Sequence, residues 1–167
     1  TVRELLKRHS GEVIRFSLLS AHYRSPLDFS AGGLDAARAQ LDTFYAALRK
    51  HKDCVHDTVL AEDTSVFKAL LDDINTPEAI ANLHLAASRL NKAENPGEAS
   101  AAKAELLAGG RLLGILESDP EAWFTEAIAS GPALPSAEKI ESLIKERLSA
   151  RQDRNFVRAD EIREQLL

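Results

Sequence analysis

The sequence predicts an all-α fold, and three observations carry that prediction. Alanine and leucine are abundant while aromatic residues are only 5% of the chain, a balance that favours helix over sheet. Apolar residues recur at intervals of three and four, and no segment alternates as a strand would. Capping residues, Pro and Gly stand between the periodic segments, where helices begin and end.

Thr1-Val2-Arg3-Glu4 fits the S/T-x-x-E capping box, so a helix is expected over 1–9. Ser10-Gly11 breaks it. A second helix is expected over 12–21, with Val13, Phe16 and Leu19–Ser20 inward, and Pro26 stops helical structure in the next turn. After Ser30 and Gly32-Gly33, Leu34, Ala37, Leu41, Phe44, Tyr45 and Leu48 form one apolar face. Residues 51–63 are polar and irregular and read as a loop. Val66, Phe67, Leu70, Leu71 and Ile74 mark another helix. Thr76 then serves as a cap, Pro77 as the first helical residue and Glu78 as a complement to the helix dipole. The next helix turns Ile80, Leu83, Ala87 and Leu90 inward. Asn95-Pro96-Gly97 is a turn. A helix over 99–116 is expected to be weakened at Gly109-Gly110, and Ser118-Asp119-Pro120-Glu121 restarts a short one through Trp123 and Phe124. Residues 130–136, SGPALPS, read as a linker between domains. Helices at 137–150 and 155–167 close the chain.

At 167 residues the chain is long enough for one or two small domains. It holds no apolar run near the roughly 18 residues of a membrane span, and nothing at its start reads as a signal peptide. One cysteine, Cys54, excludes an internal disulfide and fits a reducing, cytoplasmic setting. With threonine at position 1 and no methionine anywhere, the chain reads as part of a longer protein. The net charge of −5 is unevenly spread: residues 1–52 carry nine Lys/Arg against five Asp/Glu, residues 53–135 five against fourteen, and residues 136–167 seven against seven. A nucleic-acid partner would be drawn to the ends and repelled by the middle.

Enzyme templates fit poorly. His51 and His56 flank Cys54, but the spacing matches no zinc pattern. Gly109-Gly110 lacks the lysine and Ser/Thr of a phosphate loop. Asp72-Asp73 resembles paired carboxylates for acid–base work, yet its place before a helix start favours turn formation. No catalytic or metal-binding residue is expected. Two basic segments remain. His22, Tyr23 and Arg24 offer stacking and phosphate contacts to RNA, although on composition alone Tyr23 packing on the bundle and Arg24 capping a helix C-terminus is the favoured account. In ARQDRNFVRAD, Arg151, Arg154 and Arg158 surround Phe156, a pattern that holds single-stranded bases. Asp160 can accept from a base edge. The other reading makes Phe156 the first core residue of the last helix and the arginines its solvated face.

Four blocks, TVRELLKRHSGEVIRFSLLSAHYRSPLDFS at 1–30, LLDDINTPEAIANLHLAASRLN at 70–91, LLGILESDPEAWF at 112–124 and IKERLSARQDRNFVRADEIREQLL at 144–167, resemble the C-terminal half of bacterial cysteinyl-tRNA synthetases. HYRSPLDFS is the most specific part. The resemblance implies connecting-fold helices at 1–30, just after the KMSKS loop, and a DALR-type helical bundle at 31–130. It also implies a linker at 131–136 and, at 137–167, the start of a truncated anticodon-recognition subdomain. It implies tRNA(Cys) as partner, with Arg151 and Asp160 at positions the family uses at the anticodon and Phe156 where an aromatic is common. Activation of cysteine with ATP, and the zinc ion that reads its thiol, belong to a catalytic domain whose HIGH and KMSKS motifs are not in this sequence. No cofactor is expected on this segment. A ligase of mycothiol synthesis shares part of the helical region but needs no anticodon-reading end. A free-standing tRNA-binding or helical interaction module of the same descent is the alternative.

Overall fold

The computed structural model describes residues 1–27, 29–56, 58–130, 137–152, 155, 158 and 160–163. The described residues form helices and turns and contain no strand. The chain divides into two compact units, Thr1–Ala127 and Ile128–Leu167. The expected linker at 131–136 lies outside the described residues.

The first unit starts with α1 (Val2–Leu5), held by Glu4, which accepts from the Thr1 ammonium and hydroxyl. It is shorter than the expected 1–9: none of its residues is fully buried, and of α1 only Leu5 packs against the core. Ser10, expected only to break a helix, also caps the next one by accepting from the Val13 amide. That helix, α2 (Gly11–Leu19), buries Val13, Ile14 and Phe16, while Ser20 is exposed. Ser30 caps α3 (Ala31–Lys50), and the whole predicted apolar face of α3 is buried. The Phe16 and Phe44 rings meet edge to face at 6.1 Å between α2 and α3.

After a loop with a 3₁₀ turn at Ala61–Asp63, Thr64 caps α4 (Ser65–Leu71). Leu71 and Ile74, expected on its inner face, are instead 71% and 58% exposed. The helix ends at Leu71, and Asp73 and Ile74 turn the chain with φ of 52° and 55°. The cap of α5 (Thr76–Lys92) is Asn75 rather than Thr76: Asn75 Oδ1 accepts from the Glu78 amide, and Thr76 is the first helical residue. Helix α5 packs against α3, α4 and α6 and so forms the centre of the unit.

Asn95 caps α6 (Pro96–Leu113), which stops at Gly114 in the left-handed conformation, φ 65°. Residues 115 and 116 have therefore left the predicted 99–116 helix. Asp119 accepts from the amides of Glu121 and Ala122 and starts α7 (Pro120–Ser130). Helix α8 (Ala137–Gln152) belongs to the second unit, where residues 158 and 160–163 are also helical.

Candidate nucleic-acid interface

The basic turn after α2 is organised by a residue fifty positions away. Asp73 Oδ1 accepts from the Tyr23 hydroxyl at 2.7 Å, and Asp73 Oδ2 lies 2.9 Å from Arg24 Nη1. His22 Nε2 is 3.1 Å from the Asp73 carbonyl, and the Arg24 amide donates to His22 Nδ1 at 3.2 Å. Both bonds are satisfied by the tautomer that carries its proton on Nε2. The His22 and Tyr23 rings lie 4.7 Å apart, and the Arg24 guanidinium sits 5.1 Å from the Tyr23 ring centre. Donation to Asp73 pushes the Tyr23 phenol up. Tyr23 is 57% exposed, so it does not pack into the bundle, and Arg24 reaches Asp73 rather than a helix end. A second tie, from the Thr76 hydroxyl to the Ala21 carbonyl at 3.3 Å, holds the same two turns together.

In the second unit, Leu143, Ala150 and Ile162 are buried. The Asn155 amide donates to the Ala150 carbonyl, and Asn155 Oδ1 accepts from the Arg158 amide, so Asn155 closes α8 and caps the next helical segment. Arg158 bridges Glu146 on α8 and Glu161, with bonds of 2.8 to 3.1 Å. Its charge is thus matched from two sides. Arg151 and Asp160 are exposed, and neither side chain makes a hydrogen bond or ion pair among the described residues. An open guanidinium and an open carboxylate are the groups that a phosphate and a base edge would need. Arg154 and Phe156 lie outside the described residues.

Two features of the first unit are not foreseen from the sequence. One is the role of Asp73, for which the sequence favours turn formation over acid–base work and gives no sign of a tie to the turn after α2. The other is a buried polar network that pins residues 112–124 onto α2 and α3. Glu12 accepts from the Tyr45 hydroxyl and, at 2.7 Å, from the Leu116 amide, and the Ser118 amide donates to Tyr45 at 3.2 Å. Burial pushes the Glu12 carboxyl up despite these bonds, and burial together with the Glu12 charge pushes the Tyr45 phenol up. Trp123 stacks on Tyr45 at 4.3 Å, donates to Asp42 at 2.7 Å and lies under the Arg38 guanidinium at 4.0 Å. An acid beside a tyrosine is raw material for proton transfer, but here both are spent on backbone amides. Among the described residues, no three His, Cys, Asp or Glu side chains gather as a metal site requires.

Residues 65–117 match the DALR domain family. Over 99% of its length the chain is 52% identical to the cysteine–tRNA ligase of Saccharophagus degradans and 46% identical to that of Paramagnetospirillum magneticum. Over 97% of its length it is 45% identical to the cysteine–tRNA ligase of Parvibaculum lavamentivorans. The resemblance to cysteinyl-tRNA synthetases therefore runs through all four blocks. The chain spans about a third of these relatives, 36%, 36% and 34% of their lengths.

Proposed function

We propose that this chain is the tRNA-binding part of a cysteine–tRNA ligase, positioning tRNA(Cys) and reading its anticodon for cysteinylation in translation. One observation carries the reading: near-complete coverage at up to 52% identity to cysteine–tRNA ligases, with a DALR domain at 65–117 inside it. In this reading residues 31–130 are the DALR-type bundle, and 137–167 open the anticodon-recognition subdomain. ATP, zinc and the activation of cysteine belong to a partnering catalytic domain, within the two-thirds of such a ligase that this chain does not span. The setting is cytoplasmic. Cysteine-dependent ATP–pyrophosphate exchange by the purified chain is expected to be absent, and turnover would overturn that division of labour.

The open side chains Arg151 and Asp160 read bases, and Arg158, held by Glu146 and Glu161, contacts the tRNA in the same segment. Arg154 supplies phosphate contact and Phe156 stacking in the same segment, and Tyr23 and Arg24 touch the tRNA elsewhere. Binding of tRNA(Cys) is expected to weaken linearly in log–log form as salt is raised. Arg151→Ala is expected to cost about 1–3 kcal/mol on the cognate anticodon. The loss on a mutated anticodon is expected to be smaller. Equal losses would make Arg151 a phosphate contact instead.

A further inference from the structure

His22, Tyr23 and Arg24 surround the Asp73 carboxylate as a receptor surrounds an anion. The hydroxyl of Tyr23 and the guanidinium of Arg24 each take one carboxylate oxygen, at 2.7 and 2.9 Å, and His22 Nε2 stands 3.9 Å from the second. Phenol, guanidinium and imidazole are also the donors that hold a phosphodiester. The group that fills this receptor comes from a strained turn. Asp73 and Ile74 both have left-handed backbone, and for a β-branched residue such as Ile74 that conformation is a true outlier. Ile74 receives no compensation from burial, being 58% exposed. The Asp73 and Arg24 side chains remain 46% and 68% exposed, so a solvent-borne anion can reach both. The Thr76–Ala21 bond would keep the two turns in register if Asp73 let go.

We infer that His22, Tyr23 and Arg24 form an RNA phosphate site that Asp73 occupies in the unbound chain. A backbone phosphate displaces the carboxylate and releases the strained 73–74 turn. The site is thereby self-masked, and its opening is coupled to the start of α5. The identity of the phosphate as RNA rests on the tRNA-binding reading above; the anion site itself does not.

Asp73→Asn is the decisive variant. Asparagine tolerates left-handed backbone and can still accept from Tyr23, but it no longer neutralises Arg24. Asp72→Asn removes the same charge one residue away, where no side-chain bond to the turn exists. With a tRNA(Cys) transcript, Asp73→Asn is expected to bind roughly 3- to 10-fold tighter and to steepen the log–log salt slope by about one phosphate. Asp72→Asn is expected to gain much less, and adding Arg24→Ala to Asp73→Asn is expected to abolish the gain. A second readout tracks the Arg24 side-chain N–H signal by NMR while inorganic phosphate is added; it should move in Asp73→Asn and hardly in the unaltered chain. If tRNA fails to bind but phosphate moves that signal, the anion site stands and the tRNA reading falls. If Asp73→Asn is folded yet phosphate leaves Arg24 unmoved, or Asp72→Asn gives an equal gain in tRNA binding, the inference is overturned.

Discussion

Lys103 shows how much a single side chain can settle in this fold. It is only 7% exposed, and its ammonium donates to the carbonyls of His51, Lys52 and Cys54 at 2.9, 3.1 and 2.7 Å. Those carbonyls sit at and just beyond the end of α3, where a helix leaves acceptors unpaired and carries partial negative charge. Three donors meeting three acceptors offset the cost of burying the charge. Lys103→Met keeps the length and apolar stem but leaves the carbonyls without a donor. It is expected to destabilise the chain by about 2–3 kcal/mol, the range for charge-assisted bonds lost in a buried setting. Urea unfolding should show a lower midpoint at unchanged slope. Lys103→Arg retains charge but not the compact three-way donor, so its midpoint should fall between the two. None of this is legible in the sequence, which marks Lys103 only as a polar residue on a helix; its acceptors lie about fifty positions earlier. The role of Asp73 is hidden for the same reason. Arg151 and Asp160, by contrast, stand out from a local pattern, and the structure places both in the open.

At the scale of elements, the periodicity is a good guide to which residues face inward and a poor guide to where helices stop. The inner face of α3 is legible in full because the pattern is long and Ser30 marks its start. Leu71 ends α4 and Ile74 lies past the point where the backbone turns, so the apolar pattern runs on to both although both are exposed. Gly109-Gly110 reads as a weakness because the helical cost of glycine is local, about 1 kcal/mol, while its compensation is tertiary. A methyl on Gly109 would lie 2.6 Å from Val66 Cγ2 and 3.0 Å from Leu83 Cδ2. Glycine thus lets α6 approach α4 and α5 at once. Gly109→Ala gains helix propensity but overpacks a contact shared by three helices, at a cost of about 1–3 kcal/mol, and α6 cannot retreat from one neighbour without moving against others. The net expectation is a loss of about 1–2 kcal/mol, measured by chemical denaturation. Because Val66 is the nearest obstacle, Val66→Ala should relieve part of it. The double variant should then be more stable than the summed single losses imply, and strict additivity would show that the clash is absorbed elsewhere.

Across the whole molecule, charge and titration are distributed unevenly. The acid-rich middle of the sequence, 53–135, supplies carboxylates that organise basic groups, as Asp73 does for Arg24 and Glu105 for Arg89. Two histidines set a pH dependence for the folded state. His84 lies against Phe44 at 4.6 Å with Nε2 2.9 Å from Gln40 Oε1, and burial pushes its imidazole below the ordinary 6.5. His51 is lowered by burial first and then by Lys50 and Lys103. When a base is lowered on folding, the unfolded chain takes the proton first as pH falls. Stability is then full above 6.5 and declines as pH drops below it. Glu12 acts in the opposite sense: its raised carboxyl binds a proton more readily folded than unfolded, so it returns some stability as pH falls towards 4.5. Glu105 acts lower still. Burial raises it, but bonds from Ser65 and Arg89 outweigh that, and its contribution is lost as pH falls through and below 4.5. Nearest pH 6.5 the histidines should dominate, so Tm is expected to fall as pH drops below 6.5. His84→Gln keeps a donor for Gln40 without a titrating ring. It should flatten that part of the profile while leaving the decline below pH 4.5 in place, as measured by circular dichroism melts at each pH. A profile that His84→Gln leaves unchanged would assign the dependence to His51, whose own carbonyl accepts from Lys103.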